Sequence, residues 1–375
     1  MKERKNVSRR GFLKALGGVL GTSAFAWLGK SPAAFGSEPE KPDKLTIRAW
    51  GGLWGEGLDE AVSKPFTDQY GIEIEYDRTL DYPMSSKLIT AQRSGAEPPV
   101  DINWTVPALG LKESFMDIHE PLNTDLVPNL KGIVDKGKYD TAYTPNNEPW
   151  PVAPLYFYTV TLTYRTDMFD PEDYGEELSW KSLWDDSLRD QIGVYHEGWG
   201  TTPIFAKVWG EAFPNNILEA STEPWKKLKP NIALVGDDPE HVSALAEGET
   251  PIVITIPTNA LEAESKGAPI GITVPAEGTL GKRDVLGVAK NIPENKKYWA
   301  MKYVNRSLDP ETQTKFCEII GTVPIVENAE PAQKYLENPA FPTSDKQLEQ
   351  IFTVPAKVLV ENQGSWFDRV AEIIG

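Results

Sequence analysis

The sequence predicts an α/β fold of two lobes, because short strands alternate with helices and glycine-rich turns follow two of the strands. In the stretch 45–59, Leu45, Ile47 and Ala49 alternate with polar residues, as in a strand with one buried face. Glycines then let the backbone turn sharply into a helix. In open α/β sheets, ligands bind beyond the carboxyl ends of the strands. We therefore predict a ligand site at this first turn.

Four residues of the first turn are candidate ligand contacts, namely Trp50, Gly51, Gly52 and Trp54. Tryptophan offers a flat surface for stacking, and glycine lets a ligand approach the backbone closely. Both tryptophans could instead pack between the helix and the sheet, and the sequence leaves both interpretations open.

Further strands and helices continue the alternation along the chain. Ile72, Ile74 and Tyr76 alternate with acidic residues and predict a second strand, which a helix at 84–94 and a strand at 100–104 follow. This order is typical of βαβ units and predicts a doubly wound first lobe.

The chain is predicted to cross into a second lobe after residue 151. The apolar and aromatic run 151–164 indicates a crossing into it, and the run 251–257 is typical of a strand buried on both faces of a parallel sheet. The run 285–289 predicts the return to the first lobe. Residues 180–191 read as a helix, and Trp366 and Val370 share one face of a predicted C-terminal docking helix.

Several polar and aromatic residues fall just after predicted strands and are further ligand candidates: Trp104, Trp199, Thr201, Thr258, Asn259 and Asp284. Each has a structural alternative, since threonine and asparagine also cap helices and tryptophans also fill cores. Tyr156 and Tyr158 near the crossing favour packing over ligand contact, and Asp81 and Tyr82 are weaker candidates.

The first 36 residues predict export. Residues 8–14, SRRGFLK, match the twin-arginine pattern S-R-R-x-F-L-K at every defined position. The apolar run 15–28 is too short and glycine-rich to span a bilayer comfortably, so it predicts a signal segment cleaved near Gly36. An uncleaved anchor is the alternative. The twin-arginine export machinery is the partner that this motif implies.

The remaining chain is strongly acidic. The first 36 residues hold seven of the 38 Lys and Arg and one of the 55 Asp and Glu, which leaves 31 against 54 and a formal net charge of −23. Nucleic acids and anionic membranes need basic patches, so neither is an expected partner.

Metal, disulfide and catalytic patterns are lacking in the sequence. Cys317 is the single cysteine and is expected in the core, and His119, His196 and His241 are far apart. No zinc spacing, nucleophile elbow or phosphate loop occurs, so we expect no cofactor, no metal and no catalysis. A periplasmic enzyme is the less favoured alternative.

The succession of these features resembles the periplasmic solute-binding proteins of ABC importers, specifically the spermidine/putrescine-binding-like family. The resemblance rests on residues 47–77, 180–188 and 270–324, including PAEGTLGKRD and LDPETQTKF before GTVP. It implies the type II periplasmic-binding-protein fold, in which two doubly wound α/β lobes joined by crossover hinge strands close on one solute. It also implies a periplasmic monomer that delivers its solute to an ABC permease in the inner membrane.

The resemblance sets the expected domain boundaries. The signal peptide is 1–36, the first lobe is 37–157 with a return at 273–325, and the second lobe is 158–272. A C-terminal helical segment, 326–375, is expected to dock on the lobes.

The charge of the solute is left open by the residues that match and those that depart. The family holds polyamines between aromatic rings and carboxylates, and Trp50 and Asp284 match such positions. However, Lys282 stands where the family has an aromatic residue, Arg283 follows it, and Glu197 is the one candidate carboxylate of the second lobe.

Three kinds of solute therefore remain. A polyamine is the family's default. Lys282 or Arg283 facing inward would suit a small organic anion, a carboxylate or a phosphonate, whereas both residues could equally lie in a solvated loop. A ferric ion would need tyrosines such as Tyr156, Tyr158 and Tyr164 in the cleft.

Overall fold

The computed structural model describes residues 38–134, 150–174, 178–210 and 213–375, and within it Lys41–Gly375 form one compact unit. The predicted signal segment lies outside the described residues. Among the described helices, none is long and apolar enough to cross a membrane.

The strands are β1 Lys44–Arg48, β2 Glu73–Asp77, β3 Ile102–Thr105, β4 His119–Glu120, β5 Ala153–Pro154, β6 Tyr158–Thr159, β7 Thr161–Arg165, β8 Ile192–Tyr195, β9 Ile232–Gly236, β10 Ile252–Thr255, β11 Ile270–Thr273, β12 Thr279–Lys282, β13 Val285–Ala289 and β14 Ile351–Phe352. The helices are α1 Gly52–Leu58, α2 Lys64–Tyr70, α3 Asp81–Ser94, α4 Pro107–Phe115, α5 Thr201–Trp209, α6 Ile217–Leu228, α7 Asp238–Glu247, α8 Pro257–Ser265, α9 Glu294–Ser307, α10 Pro310–Ile320, α11 Asp345–Leu348 and α12 Ala356–Ile374. The predicted alternation of strands and helices is confirmed.

The first lobe is built on a sheet with the strand order β2-β1-β3-β13-β4, in which β5 also pairs with β13. Strand β1 is parallel to β2 and β3, as expected of βαβ units. Strand β13 returns late in the sequence and pairs antiparallel to β3, so the predicted return at 285–289 is confirmed.

The second lobe is built on a sheet with the strand order β11-β7-β10-β8-β9. Strand β10 is parallel to β8 and antiparallel to β7, and all four of its residues are buried. The predicted buried strand is therefore confirmed, because helices cover both faces of this sheet.

A third, small sheet lies where the chain passes between the two lobes. Strand β12 pairs antiparallel with β6 and parallel with β14. Strand β6 leads into the second lobe and β12 leads back to the first, so the two crossings lie side by side. The residue boundaries expected for the lobes stay predictions.

Local sequence signals explain several helix ends. Asp309 accepts a hydrogen bond from the Thr312 N–H at the start of α10, and Gly321 ends that helix with a φ of 66°. A left-handed residue at this position is the common role of glycine.

The prediction for 180–191 was wrong. The structure has two short 3₁₀ turns, Trp180–Trp184 and Asp186–Leu188, instead of one helix. The side chains of Ser179 and Asp185 each accept a hydrogen bond from the backbone two residues further on, and such local bonds favour short turns over a continuous helix.

Each lobe has its own apolar core. Cys317 belongs to the first core, as expected, and is buried. Trp366 and Val370 of α12 are buried in the core of the second lobe. Val360 of α12 packs against Leu111 of α4, which belongs to the first lobe, so α12 contacts both lobes.

Candidate functional site

A cavity of about 710 Å³ lies between the two lobes. The first lobe lines it with residues that follow β1, β2 and β3, and the second lobe lines it with residues that follow β8, β9 and β10. Tyr158 and Asp284, at the two crossings, complete the lining. The cavity has the size of a small-molecule site and lies at the carboxyl ends of the strands, where α/β folds bind ligands.

The cavity lining combines acidic and aromatic side chains. Its six carboxylates are Asp81, Glu197, Asp237, Asp238, Glu262 and Asp284. Its six Trp and Tyr rings are Trp50, Trp54, Tyr82, Tyr158, Tyr195 and Trp199. Among the lining residues that the structure describes, none is a lysine or an arginine.

Eight of the thirteen residues predicted from the sequence line this cavity: Trp50, Gly51, Gly52, Trp54, Glu197, Trp199, Asn259 and Asp284. The other five, Trp104, Thr201, Thr258, Lys282 and Arg283, lie outside the lining as the structure describes it. The first turn therefore contributes as a unit, whereas the later strand ends contribute selected residues.

Structural roles explain two of the five outside positions. Trp104 is 0% exposed in the first core, and its ring N–H donates to the Tyr156 hydroxyl at 3.1 Å. The Thr258 hydroxyl donates to the Ile320 carbonyl at 2.5 Å. Thr201 is buried at the start of α5, and its hydroxyl has no hydrogen-bond partner among the described residues.

Asp284 is held by two phenols. It is 3% exposed and accepts hydrogen bonds from the hydroxyls of Tyr156 at 2.7 Å and Tyr158 at 3.0 Å. Burial raises the pKa of Asp284 to about 6, while the two phenols, Lys282 and Arg48 act in the opposite direction. Burial and the Asp284 charge raise the pKa of both tyrosines well above the usual range.

Two further lining carboxylates are also bound by protein groups. Asp238 accepts hydrogen bonds from the Tyr195 hydroxyl at 2.7 Å and the Asn259 amide at 2.8 Å. Glu262 accepts from the Leu53 N–H at 3.3 Å and pairs with Lys266 at 2.9 Å. Because Leu53 belongs to the first lobe and Glu262 to the second, this contact joins the two lobes.

Of the remaining three carboxylates, Glu197 is influenced by the charges of the other two, Asp81 and Asp237. Burial raises the pKa of Glu197, and the charges of Asp237 and Asp81 raise it further. Burial likewise raises the pKa of Asp81 and of Asp237. Raised values in neighbouring acids mean that a bound cation would stabilise their ionised forms. Asp81 comes from the first lobe and the other two from the second, so this group spans the cavity.

Both half-buried cavity tryptophans carry a protein cation on a ring face. The Arg48 guanidinium carbon lies 3.5 Å from the Trp50 ring centroid, and the Lys282 Nζ lies 3.8 Å from the Trp199 ring centroid. Burial lowers the pKa of Arg48 to about 10 and that of Lys282 to about 7. Lys282 therefore faces a ring, not the open cavity.

A second cation on the opposite face of either ring would be repelled. Two cations stacked on the two faces of one ring are about 7 Å apart, and at an effective dielectric constant of about 20 they repel by roughly 2 kcal/mol. A cation–π contact contributes about 0.5–2 kcal/mol. The repulsion therefore offsets the attraction.

The comparison with family models decides the identity. The model described as bacterial extracellular solute-binding protein matches residues 61–343, which is most of the chain. The chain belongs to this family. A search of curated protein sequences gives no match.

Solved structures of similar fold agree with this family. An ABC transporter substrate-binding protein from Bradyrhizobium japonicum USDA 110 superposes with a TM-score of 0.73 at 18% identity, covering 89% of this chain and 100% of its own. A spermidine/putrescine ABC transporter substrate-binding protein from Streptococcus pneumoniae gives 0.67 at 19% identity, with coverage of 89% and 100%. A protein from A. tumefaciens B6 in complex with glucopine gives 0.70 at 15% identity, with coverage of 88% and 100%. The predicted two-lobed binding-protein fold is confirmed.

Sequence analysis missed several lining residues of this solute-binding protein. Asp237 and Asp238 directly follow β9, so the rule that selected Thr258 and Asn259 would also have selected them. Glu262 lies one helical turn after Asn259 on α8 and shares its face. Asp81 and Tyr82, the weaker candidates from the sequence, both line the cavity.

Proposed function

We propose that this solute-binding protein is the substrate-binding component of an ABC transporter and that its solute is a small organic amine, the class that includes the polyamines. One observation carries the proposal: six carboxylates and six aromatic rings line one cavity, and no described lining residue is a lysine or an arginine.

Electrostatics favours an ammonium group in this cavity. Asp81, Glu197 and Asp237 have raised pKa values because burial and neighbouring acids disfavour their charged forms. An ammonium group would neutralise that excess and donate charge-assisted hydrogen bonds, which are about twice as strong as neutral ones. Amine binding should therefore release protons near the pKa of these acids.

An organic anion is less well supported. That hypothesis needs Lys282 or Arg283 to face the solute, but Lys282 stacks on Trp199 and both residues lie outside the described cavity lining. An anion would also meet several carboxylates, and no described lining residue is a lysine or an arginine.

A ferric ion is also less well supported. The hydroxyls of Tyr156 and Tyr158 donate to Asp284, and the pKa of each is raised, so neither is prepared to bind iron as a phenolate. Tyr164 packs against Phe169 in the second lobe. Among the described residues, no group of three His, Cys, Asp or Glu side chains is arranged to hold a metal.

Export and delivery complete the proposal. The twin-arginine motif at 8–14 would direct the folded chain to the periplasm, with cleavage near Gly36, and the mature monomer would pass its solute to an inner-membrane permease. The neighbour from Streptococcus pneumoniae, described as a spermidine/putrescine-binding protein, supports this role by fold. The mass of the protein recovered from the periplasm tests both export and the cleavage point.

A thermal-shift screen of the purified protein tests the solute class. Putrescine, spermidine and 2-phenylethylamine represent amines, and succinate, phenylacetate and methylphosphonate represent anions. A ligand at about 1,000 times its dissociation constant stabilises the protein by roughly 4 kcal/mol, which raises the Tm by several degrees. We expect shifts with amines. Shifts confined to the anions would contradict the proposal.

A further inference from the structure

Two of the three tryptophans that line the cavity, one from each lobe, share one feature. Arg48 stacks on Trp50 at 3.5 Å, and Lys282 stacks on Trp199 at 3.8 Å. Arg48 is 1% exposed and Lys282 is 8% exposed, and neither lines the cavity. Each protein cation therefore covers a ring face that is turned away from the solute.

This arrangement changes what the rings can bind. An aromatic ring attracts a cation through the negative potential of its faces. A protein cation on one face already interacts with that negative potential, and it repels a second cation on the opposite face of the ring. The surface that each tryptophan presents to the cavity is thereby suited to an uncharged flat or apolar group.

The carboxylates, rather than the rings, offer a place for charge. Glu197 lies in the same cavity with Asp81 and Asp237, and the charges of both act on it. None of the described salt bridges involves these three acids. The charge of Arg48 acts on Asp81, and that of His196 acts on Glu197 and Asp237. The cavity thus has acids that lack a salt-bridge partner and two rings that each already carry a cation.

We propose that the solute is an amine with an aromatic or cyclic apolar body, whose body contacts Trp50 and Trp199 and whose ammonium group binds at Glu197, Asp81 and Asp237. This inference rests on the proposed function and narrows it. A linear polyamine fits less well, because its methylene chain carries an ammonium group at each end and places charge close to the rings.

Calorimetric titration of the purified protein tests the ranking. The probes are 2-phenylethylamine, putrescine, spermidine and phenylacetate, which has the aromatic body but the opposite charge. We expect 2-phenylethylamine to bind about tenfold more tightly than putrescine or spermidine. Tighter binding of either polyamine overturns the inference and leaves the proposed function intact. Tightest binding of phenylacetate, or no binding of any amine, overturns both.

Substitution of Lys282 tests the mechanism. Lys282→Met removes the charge behind Trp199 and keeps the length of the side chain, whereas Lys282→Arg keeps the charge. At about pH 6, below the Lys282 pKa of about 7, the lysine carries its charge. There the affinity for spermidine relative to 2-phenylethylamine should rise about tenfold in the methionine variant and stay as in the parent in the arginine variant. An unchanged ratio in the methionine variant overturns the inference. If that variant does not fold, the ranking of ligands on the parent protein decides alone.

Discussion

The cavity has two walls in which a cation lies behind a tryptophan: the first wall is Trp50 with Arg48, and the second wall is Trp199 with Lys282. The two walls hold their cations by different means. In the first lobe, Arg48 and Trp50 are two residues apart at the end of β1, and the guanidinium donates to the carbonyls of Thr79 at 2.9 Å and Trp104 at 2.5 Å. In the second lobe, Lys282 comes from a crossover strand that is distant in sequence from Trp199.

The two cations differ in whether they keep their charge at neutral pH. Arg48 is fixed by backbone carbonyls, and with a pKa of about 10 it stays charged at neutral pH. Lys282 has a pKa of about 7, so its charge is lost within the physiological range. The first wall is therefore a constant feature of the fold, whereas the second wall can be altered by pH or by substitution.

The largest expected effect is on the free energy of unfolding, which should respond differently to removal of Arg48 and of Lys282. Arg48→Met leaves the buried Trp104 carbonyl and the partly buried Thr79 carbonyl without their donor, and an unsatisfied buried group costs about 1–3 kcal/mol, so the free energy of unfolding should fall by about 2 kcal/mol. Lys282→Met removes a desolvated charge and should be neutral or stabilising by about 1 kcal/mol. Urea denaturation of both variants gives the comparison, and equal losses would contradict it.

This contrast shows what the sequence could predict. Alternating residues of a strand share a face, so Arg48 and Trp50 could be placed on one side of β1 from the sequence alone. The whole first turn was likewise predicted, because strand, glycines and helix start are contiguous. The two lobes could be predicted from the order of strands and helices.

The second wall could not be predicted in the same way. Lys282 and Trp199 meet only because β12 passes beside the loop after β8, and no local pattern gives that distance. The sequence left Lys282 either facing an anion or in a solvated loop, while the structure places its Nζ on a ring. Trp104 was expected after a strand, yet it belongs to β3 and is buried against Trp54 and Phe316, which only tertiary packing decides.

The next effect uses the titration of Lys282. Its folded pKa is about 7, below the ordinary value of 10.5, so the unfolded chain binds more protons between these values. The contribution of Lys282 is therefore most favourable above pH 10.5 and is lost as the pH falls toward 7. We expect Lys282→Met to have a higher Tm than the parent at pH 7, and we expect this difference in Tm to diminish by pH 9.5.

The other ionisable groups near Lys282 are present in both proteins. The pH dependence of the difference in Tm therefore reports the titration of Lys282 together with its coupling to Asp284 and Asp81. A difference in Tm that stays constant from pH 7 to pH 9.5 would show that Lys282 titrates in its ordinary range. The cation behind Trp199 would then stay charged at neutral pH, as Arg48 does behind Trp50, and the two walls would no longer differ in this respect.

The smallest expected effect compares the rings directly. Trp50→Ala and Trp199→Ala each remove one flat surface, and an aromatic contact contributes about 0.5–1.5 kcal/mol, so each variant should bind 2-phenylethylamine about fivefold more weakly. Spermidine should lose less than about twofold, because the rings do not hold its charge. Calorimetry on both variants measures these ratios. If spermidine lost as much affinity as the aromatic amine, the rings would hold an ammonium group despite the cations behind them. If Trp50→Ala alone left the aromatic amine unaffected, Trp50 would serve only as packing for Arg48, and the solute would rest on the second wall.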